Sequence, residues 1–164
     1  MQMDFPEFFQ EQHNRRFFPQ ALINVALSIF CATIVIVTVA AIELVVPAAQ
    51  LATDEANIAS LGLLPLFGIA VAIPVSETLM LAGLLRILTW LRLPFFKAAL
   101  LSATLWGLAH GVFDLPSFFS AWAAFFIYSC AYLSWRRRSL FLALSAAAIP
   151  HMMQNAIVWG LTHI

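Results

Sequence analysis

The chain has 164 residues, of which 63% are hydrophobic and only 10% charged, with eight basic and eight acidic side chains in balance. Soluble domains are about 45–50% apolar and about 25% charged, so a soluble fold cannot hide this much apolar surface. The class expected is all-α, a polytopic transmembrane helical bundle, and the balanced charge gives no sign of a nucleic-acid partner.

Residues 1–20 mix Asp4, Glu7, Glu11, Arg15 and Arg16 with five phenylalanines. This pattern suits an interfacial segment ahead of the first span. The first apolar run follows, Ala21 to Val46, with Glu43 as its one charged residue. It is too long for the apolar region of a cleavable signal peptide and lacks a clear small-residue cleavage site. Asp54 and Glu55 mark the next loop. Ile58 to Leu91 is then apolar apart from Ser60, Ser76, Glu77, Thr78, Arg86 and Thr89. Read as one helix it is too long for a single span, and Pro65 and Pro74 are expected to break it, the part before Pro74 forming a re-entrant or extra span. Arg86, Arg92 and Lys97 surround a turn at Leu93-Pro94. The runs Phe95 to Phe113, Ser117 to Trp135 and Ser139 to Ile164 complete the chain, separated by Asp114-Leu115-Pro116 and by Arg136-Arg137-Arg138.

At about 20 residues per span, these runs give five to six spans. Residues 21–164 form one transmembrane domain. Basic and acidic loops alternate, so the basic side is expected to face the cytoplasm. Cys31 and Cys130 lie inside apolar runs and read as small packing residues. His13 and His163 lie near the termini and read as solvated.

Four polar residues are stranded in the apolar runs: Glu77, His110, His151 and Asn155. An ionisable side chain in a bilayer is expensive and marks a functional site by default. Their depth follows from the basic loops. Glu77 lies about 23 Å of helix before Arg92, His110 about 24 Å after Pro94, His151 about 20 Å after Arg138 and Asn155 about 26 Å after it. All four are therefore expected in one slab, away from the basic side, with His151 and Asn155 on one helix face at i, i+4.

A carboxylate beside an imidazole can activate water and then protonate a leaving amine. A second imidazole and a carboxamide can donate to a developing oxyanion. The same Glu and two His also make a zinc-ligand set, the less favoured alternative, because a carboxamide is a poor zinc ligand. The sequence contains no HExxH, no GxSxG and no phosphate-binding loop.

Three short stretches carry a family resemblance: Ser76-Glu77-Thr78-Leu79-Met80-Leu81-Ala82-Gly83, Trp106-Gly107-Leu108-Ala109-His110-Gly111 and His151-Met152-Met153-Gln154-Asn155. In order and spacing they resemble the motifs of the CPBP family, the CAAX-protease and bacteriocin-processing group of intramembrane endopeptidases: Glu-Glu-xxx-Arg, Phe-xxx-His and His-xxx-Asn/Asp. The resemblance covers about residues 58–160, a protease-like core. It implies that Glu77 activates water, His110 assists, and His151 with Asn155 forms an oxyanion hole. The chain departs from the pattern at Thr78 (second glutamate), Ala82 (arginine) and Trp106 (phenylalanine). The small size and divergent first motif resemble a bacterial subgroup linked to processing of C-terminal protein-sorting tails. The expected function is thus an intramembrane glutamic endopeptidase in a bacterial inner membrane, needing no cofactor and acting on a membrane-anchored protein or peptide. The alternatives are an inactive immunity or scaffold protein of the same fold and a small transporter using Glu77 as a proton relay.

Overall fold

The computed structural model describes residues 17–45, 66–112 and 115–162, with a few side chains inside the helices left aside. The described residues form an all-α bundle of five helices. Helix α1 is Phe17–Val45. A π-helical segment, Gly68–Ala72, runs directly into α2, Ile73–Trp90. Helices α3, Phe95–His110, α4, Leu115–Trp135, and α5, Leu140–Thr162, follow.

Four stretches are long and apolar enough to cross a membrane: Phe17–Val35, Gly68–Trp90, Leu115–Trp135 and Leu140–Gly160. Helix α3 has 16 residues, or about 24 Å, short of a bilayer core of about 30 Å. Among the described residues, the five to six expected spans are represented by four full-length helices and one short one. The exposed positions are themselves apolar, among them Phe18, Phe30, Val37, Met80 and Phe141, each more than 60% exposed. Such a surface is stable against lipid and not against water, so this is a membrane protein. Thr33, Thr38, Ser76 and Thr104 all return their hydroxyls to carbonyls three or four residues back, which satisfies them without water.

Helix α4 is the centre. Half of its window is buried, against 28–33% for the other three long helices. It packs on α1, α3 and α5, and more lightly on α2. Its neighbours present alanines and glycines, including the fully buried Ala98, Ala99, Ala103 and Ala143. Small residues let backbones approach where no hydrophobic effect drives helices together. The α3–α4 seam also holds two polar cross-links, Ser129 Oγ to Ser102 Oγ at 3.1 Å and Trp122 Nε1 to Thr104 Oγ1 at 3.3 Å.

The helices alternate in direction. The Phe17 ring meets Trp135 edge to face at 5.2 Å, so α1 begins at the end where α4 finishes. The α2–α3 turn and the α4–α5 turn lie at that same basic end. Helix α2 stops there in a left-handed residue, Arg92 at φ 62°. Arg92 N–H donates to Thr89 O and Leu93 N–H to Leu88 O, the paired bonds of a Schellman cap. Pro94 then prevents the helix from resuming.

Two expectations need correcting. Helix α1 begins at Phe17, so residues 17–20 belong to the first span; the interfacial segment expected over 1–20 otherwise falls outside the described residues. Pro74 does not break its helix. The π turn ahead of it absorbs the missing N–H, and the helix runs on to Trp90. Pro65 and residues 58–65, where an extra or re-entrant span was expected to begin, fall outside the described residues.

Candidate active site

Glu77 of α2, His110 at the last turn of α3 and His151 of α5 converge in the half of the bundle away from the basic turns. The Glu77 carboxylate is bracketed by the two rings: Oε2 lies 3.3 Å from His151 Nε2 and Oε1 lies 3.8 Å from His110 Nε2. Exposure is graded. The side chain of His151 is 6% exposed, Glu77 20% and His110 35%. The site therefore opens on the His110 side. Helices α2 and α3 touch each other far less than α3 touches α4, so the opening lies along the looser seam.

Tautomers follow from the partners. His110 Nδ1 lies 2.9 Å from the Trp106 carbonyl, which can only accept, so Nδ1 carries the proton and donates. In its neutral form the ring turns a lone pair on Nε2 toward Glu77 Oε1. Two acceptors 3.8 Å apart are a poor pair alone and a good pair around a molecule that donates to both. His151 is the reverse. Its Nδ1 is buried without a hydrogen-bond partner, so a proton there would be an orphaned donor costing about 1–3 kcal/mol. The proton belongs on Nε2, facing Glu77 Oε2. His151 thus acts as donor to the carboxylate, and His110 as acceptor beside it.

Aromatic rings fix both imidazoles. Tyr128 stacks on His151 at 4.9 Å and 23°, and Phe125 meets it edge-on at 5.2 Å. Phe125 in turn stacks on Trp106 at 4.4 Å and 7°, and both lie within 6 Å of the His110 ring. Tyr128 is fully buried and donates to Gln154 Oε1 at 2.7 Å.

The position of His110 depends on glycine. A Cβ on Gly111 would lie 2.7 Å from Phe118 Cβ, and one on Gly107 3.1 Å from Trp122 Cβ. These two glycines, four apart, let the end of α3 lie against α4. Gly111→Ala is expected to cost about 1–3 kcal/mol of stability and to move His110 away from Glu77, lowering any activity of the site. Gly83→Ala, whose Cβ meets nothing within 4 Å, should change neither. Thermal melting of the two variants in detergent checks this directly.

Asn155 makes its hydrogen bond to the backbone ahead of the Glu77 helix. Its Nδ2 donates to Ile69 O at 3.2 Å, and backbone accounting gives the reason. Ile73 N–H bonds Gly68 O, five residues back, so it is lost to Ile69. The next N–H in π register would be residue 74, a proline. Ile69 O is left without a helical donor, and Asn155 supplies one. The carboxamide thereby ties α5 to the π turn that begins the Glu77 helix.

The structure adds three uncharged polar residues on α1. Gln20, Asn24 and Ser28 recur every fourth residue along α1 and are all buried. Gln20 Nε2 donates to Asn24 Oδ1 at 3.3 Å, and Ser28 Oγ donates to Val25 O at 2.9 Å. The spacing was visible as a polar stripe on an apolar helix, the only signal available for it.

Glu77, His110 and His151 carry zinc-ligand atom types, but the arrangement suits a metal poorly. A metal on His151 Nε2 would force the proton onto the partnerless buried Nδ1, whereas metal-bound histidines almost always give that N–H an acceptor. Among the described residues no group of three His, Cys, Asp or Glu is disposed to hold a metal ion. No protein-family model, curated protein or solved structure matches the chain.

Proposed function

We propose that this membrane protein is an intramembrane endopeptidase of the glutamic type, hydrolysing a peptide bond of a membrane-anchored protein. The observation that carries this reading is the carboxylate of Glu77 held between a donor imidazole and an acceptor imidazole. A water at Oε1 and His110 Nε2 donates a hydrogen bond to each, which raises its nucleophilicity. His151 Nε2–H holds Oε2, so that Oε1 keeps its lone pairs for the water. On attack at the scissile carbonyl carbon, Glu77 takes the water's proton. The C–N bond breaks as the leaving amine receives a proton from Glu77, and the carboxylate is regenerated. The water oxygen ends in the new carboxyl group.

Oxyanion stabilisation by His151 and Asn155, which the family resemblance implies, requires each to spare a donor. Asn155 has a second amide N–H beyond the one on Ile69 O. His151 has only Nε2–H, and can offer it once Glu77 is protonated. Thr78 and Ala82, where the resembled family carries a glutamate and an arginine, are both buried. Losing both members of a buried ion pair leaves no orphan charge and is often neutral, whereas losing one is not. The double departure therefore fits a site that has moved the task of orienting Glu77 onto His151.

The substrate class follows from the surroundings. The site lies in a lipid-facing bundle, open along the α2–α3 seam and toward the side opposite the arginines. By charge bias that side is non-cytoplasmic, in what we take to be a bacterial inner membrane. A tail or anchor segment near the outer leaflet fits such a site. Mapping of membrane-protein termini by mass spectrometry, in cells producing the wild type or Glu77→Gln, tests this reading. New termini are expected with the wild type alone, and identical terminus sets in the two would overturn it. The protein purified without chelator is expected to hold far less than one zinc per chain and to keep its activity in EDTA; stoichiometric zinc lost together with activity would replace the glutamic mechanism by a metal-assisted one.

A further inference from the structure

The basic end of the bundle contains a cavity of about 490 Å³ lined by Arg86, Thr89 and Trp90 of α2, Leu133 of α4, and Arg136 and Arg137 of the α4–α5 turn. We propose that this crevice binds the phosphate of an anionic phospholipid headgroup in the leaflet on that side. Three arginines from two separate segments line one cavity, and no carboxylate is among the residues lining it. Among the described residues, neither Arg86 nor Arg136 is paired with a carboxylate. An anion in such a crevice would be attracted by the arginines that line it.

The crevice is built, and is more than a charged loop. The Arg136 guanidinium donates to Thr89 Oγ1, tying the α4–α5 turn to α2. Thr89 can accept because its own proton goes to the carbonyls of Leu85 and Arg86, at 2.8 and 3.0 Å. Arg136 is thus held with donors to spare, since a guanidinium carries five N–H groups. Arg138 of the same run is disposed differently, over the Trp135 ring at 5.5 Å. It does not line the crevice.

Orientation signals and helix dipoles account for basic residues in turns. They do not account for Arg86, which lies a full turn inside α2, where a cation needs an anionic partner or a path to the headgroups. Its surroundings identify the source of the anion. Trp90 is 79% exposed, and Ile87 and Leu91 are more than half exposed. An exposed tryptophan over apolar neighbours is typical of the bilayer–water boundary. A phosphodiester there meets arginines from the protein side while its acyl chains lie along Ile87. Planar guanidiniums suit phosphate through paired N–H···O contacts.

The full chain in zwitterionic-lipid nanodiscs, titrated with phosphatidylglycerol and read by native mass spectrometry and thermal melting, tests the site. We expect retained phosphatidylglycerol and a rise in melting temperature, with no such response to added phosphatidylcholine. The Arg86→Gln, Arg136→Gln double variant should lower lipid retention about tenfold or more, and Arg138→Gln should not. Arg86→Gln alone keeps the Thr89 link to Arg136, so it provides a folded comparison, and a loss of several-fold is expected there. Equal retention by Arg86→Gln and wild type overturns the proposal. A rise in melting temperature with millimolar inorganic phosphate that phosphatidylglycerol does not exceed overturns the lipid source and makes the site one for a soluble phosphate.

Discussion

Glu77→Gln is expected to lower peptide-bond cleavage by about three orders of magnitude or more, while leaving the bundle as stable as before. The amide keeps the size and half-buried position of the carboxylate, so packing between α2, α3 and α5 is unchanged. What disappears is the base. An amide oxygen neither takes the proton of an attacking water nor returns it to a leaving amine, and general acid–base catalysis alone contributes about 10²–10⁴-fold. Because one group performs both transfers in the proposed cycle, the loss should fall at or above the upper part of that range. Stability is expected to hold or rise slightly, because a carboxylate that is 20% exposed in an apolar bundle costs desolvation that a neutral amide avoids. The measurement is cleavage of a membrane-anchored reporter by reconstituted wild type and variant, with melting curves on the same samples. Cleavage within a few-fold of wild type would remove Glu77 from the chemistry, and the catalytic reading with it.

Much of this site was legible because helices are regular. Counting residues from the basic turns at 1.5 Å each put Glu77, His110 and His151 in one slab, and the structure brings the three within 3.8 Å of one another in pairs about Glu77. Fold class followed just as directly from long apolar runs. What could not be read is whatever depends on backbone bookkeeping. Asn155 shares a helix face with His151, as expected, but its partner is set by a π turn and by a proline that has no N–H to give Ile69. No side-chain period announces that. The consequence reaches beyond Asn155 itself. Were Asn155 only an oxyanion donor, loss of its carboxamide would harm a peptidase and spare a proton relay. Since it ties α5 to the start of the Glu77 helix, its loss should disturb Glu77 under either function, so it no longer separates them. The stripe of Gln20, Asn24 and Ser28 was readable in principle at four-residue spacing. These uncharged side chains are buried in an apolar helix, where polar groups are also costly.

The two histidines should separate in how they fail. His110 is 35% exposed and its Nδ1 is spent on Trp106 O, so its remaining contribution is the Nε2 lone pair beside Glu77 Oε1. His110→Ala is expected to reduce cleavage about 10²-fold with little change in melting temperature. His151 lies between Tyr128 and Phe125 and is 6% exposed. His151→Ala removes a packed ring as well as a donor, so it should cost about 2–4 kcal/mol of stability in addition to activity. The decisive comparison is made in the Glu77→Gln background. If Glu77 and His110 act on one water, removing His110 after Glu77 should lower the residual rate by less than about threefold, because groups that act as a unit are strongly non-additive. A full further 10²-fold loss would mean that His110 works on a separate step, and the shared-water arrangement would be wrong. The same cycle with His151 should also be non-additive, for a different reason: a donor that orients a carboxylate has nothing left to orient once the carboxylate has become an amide.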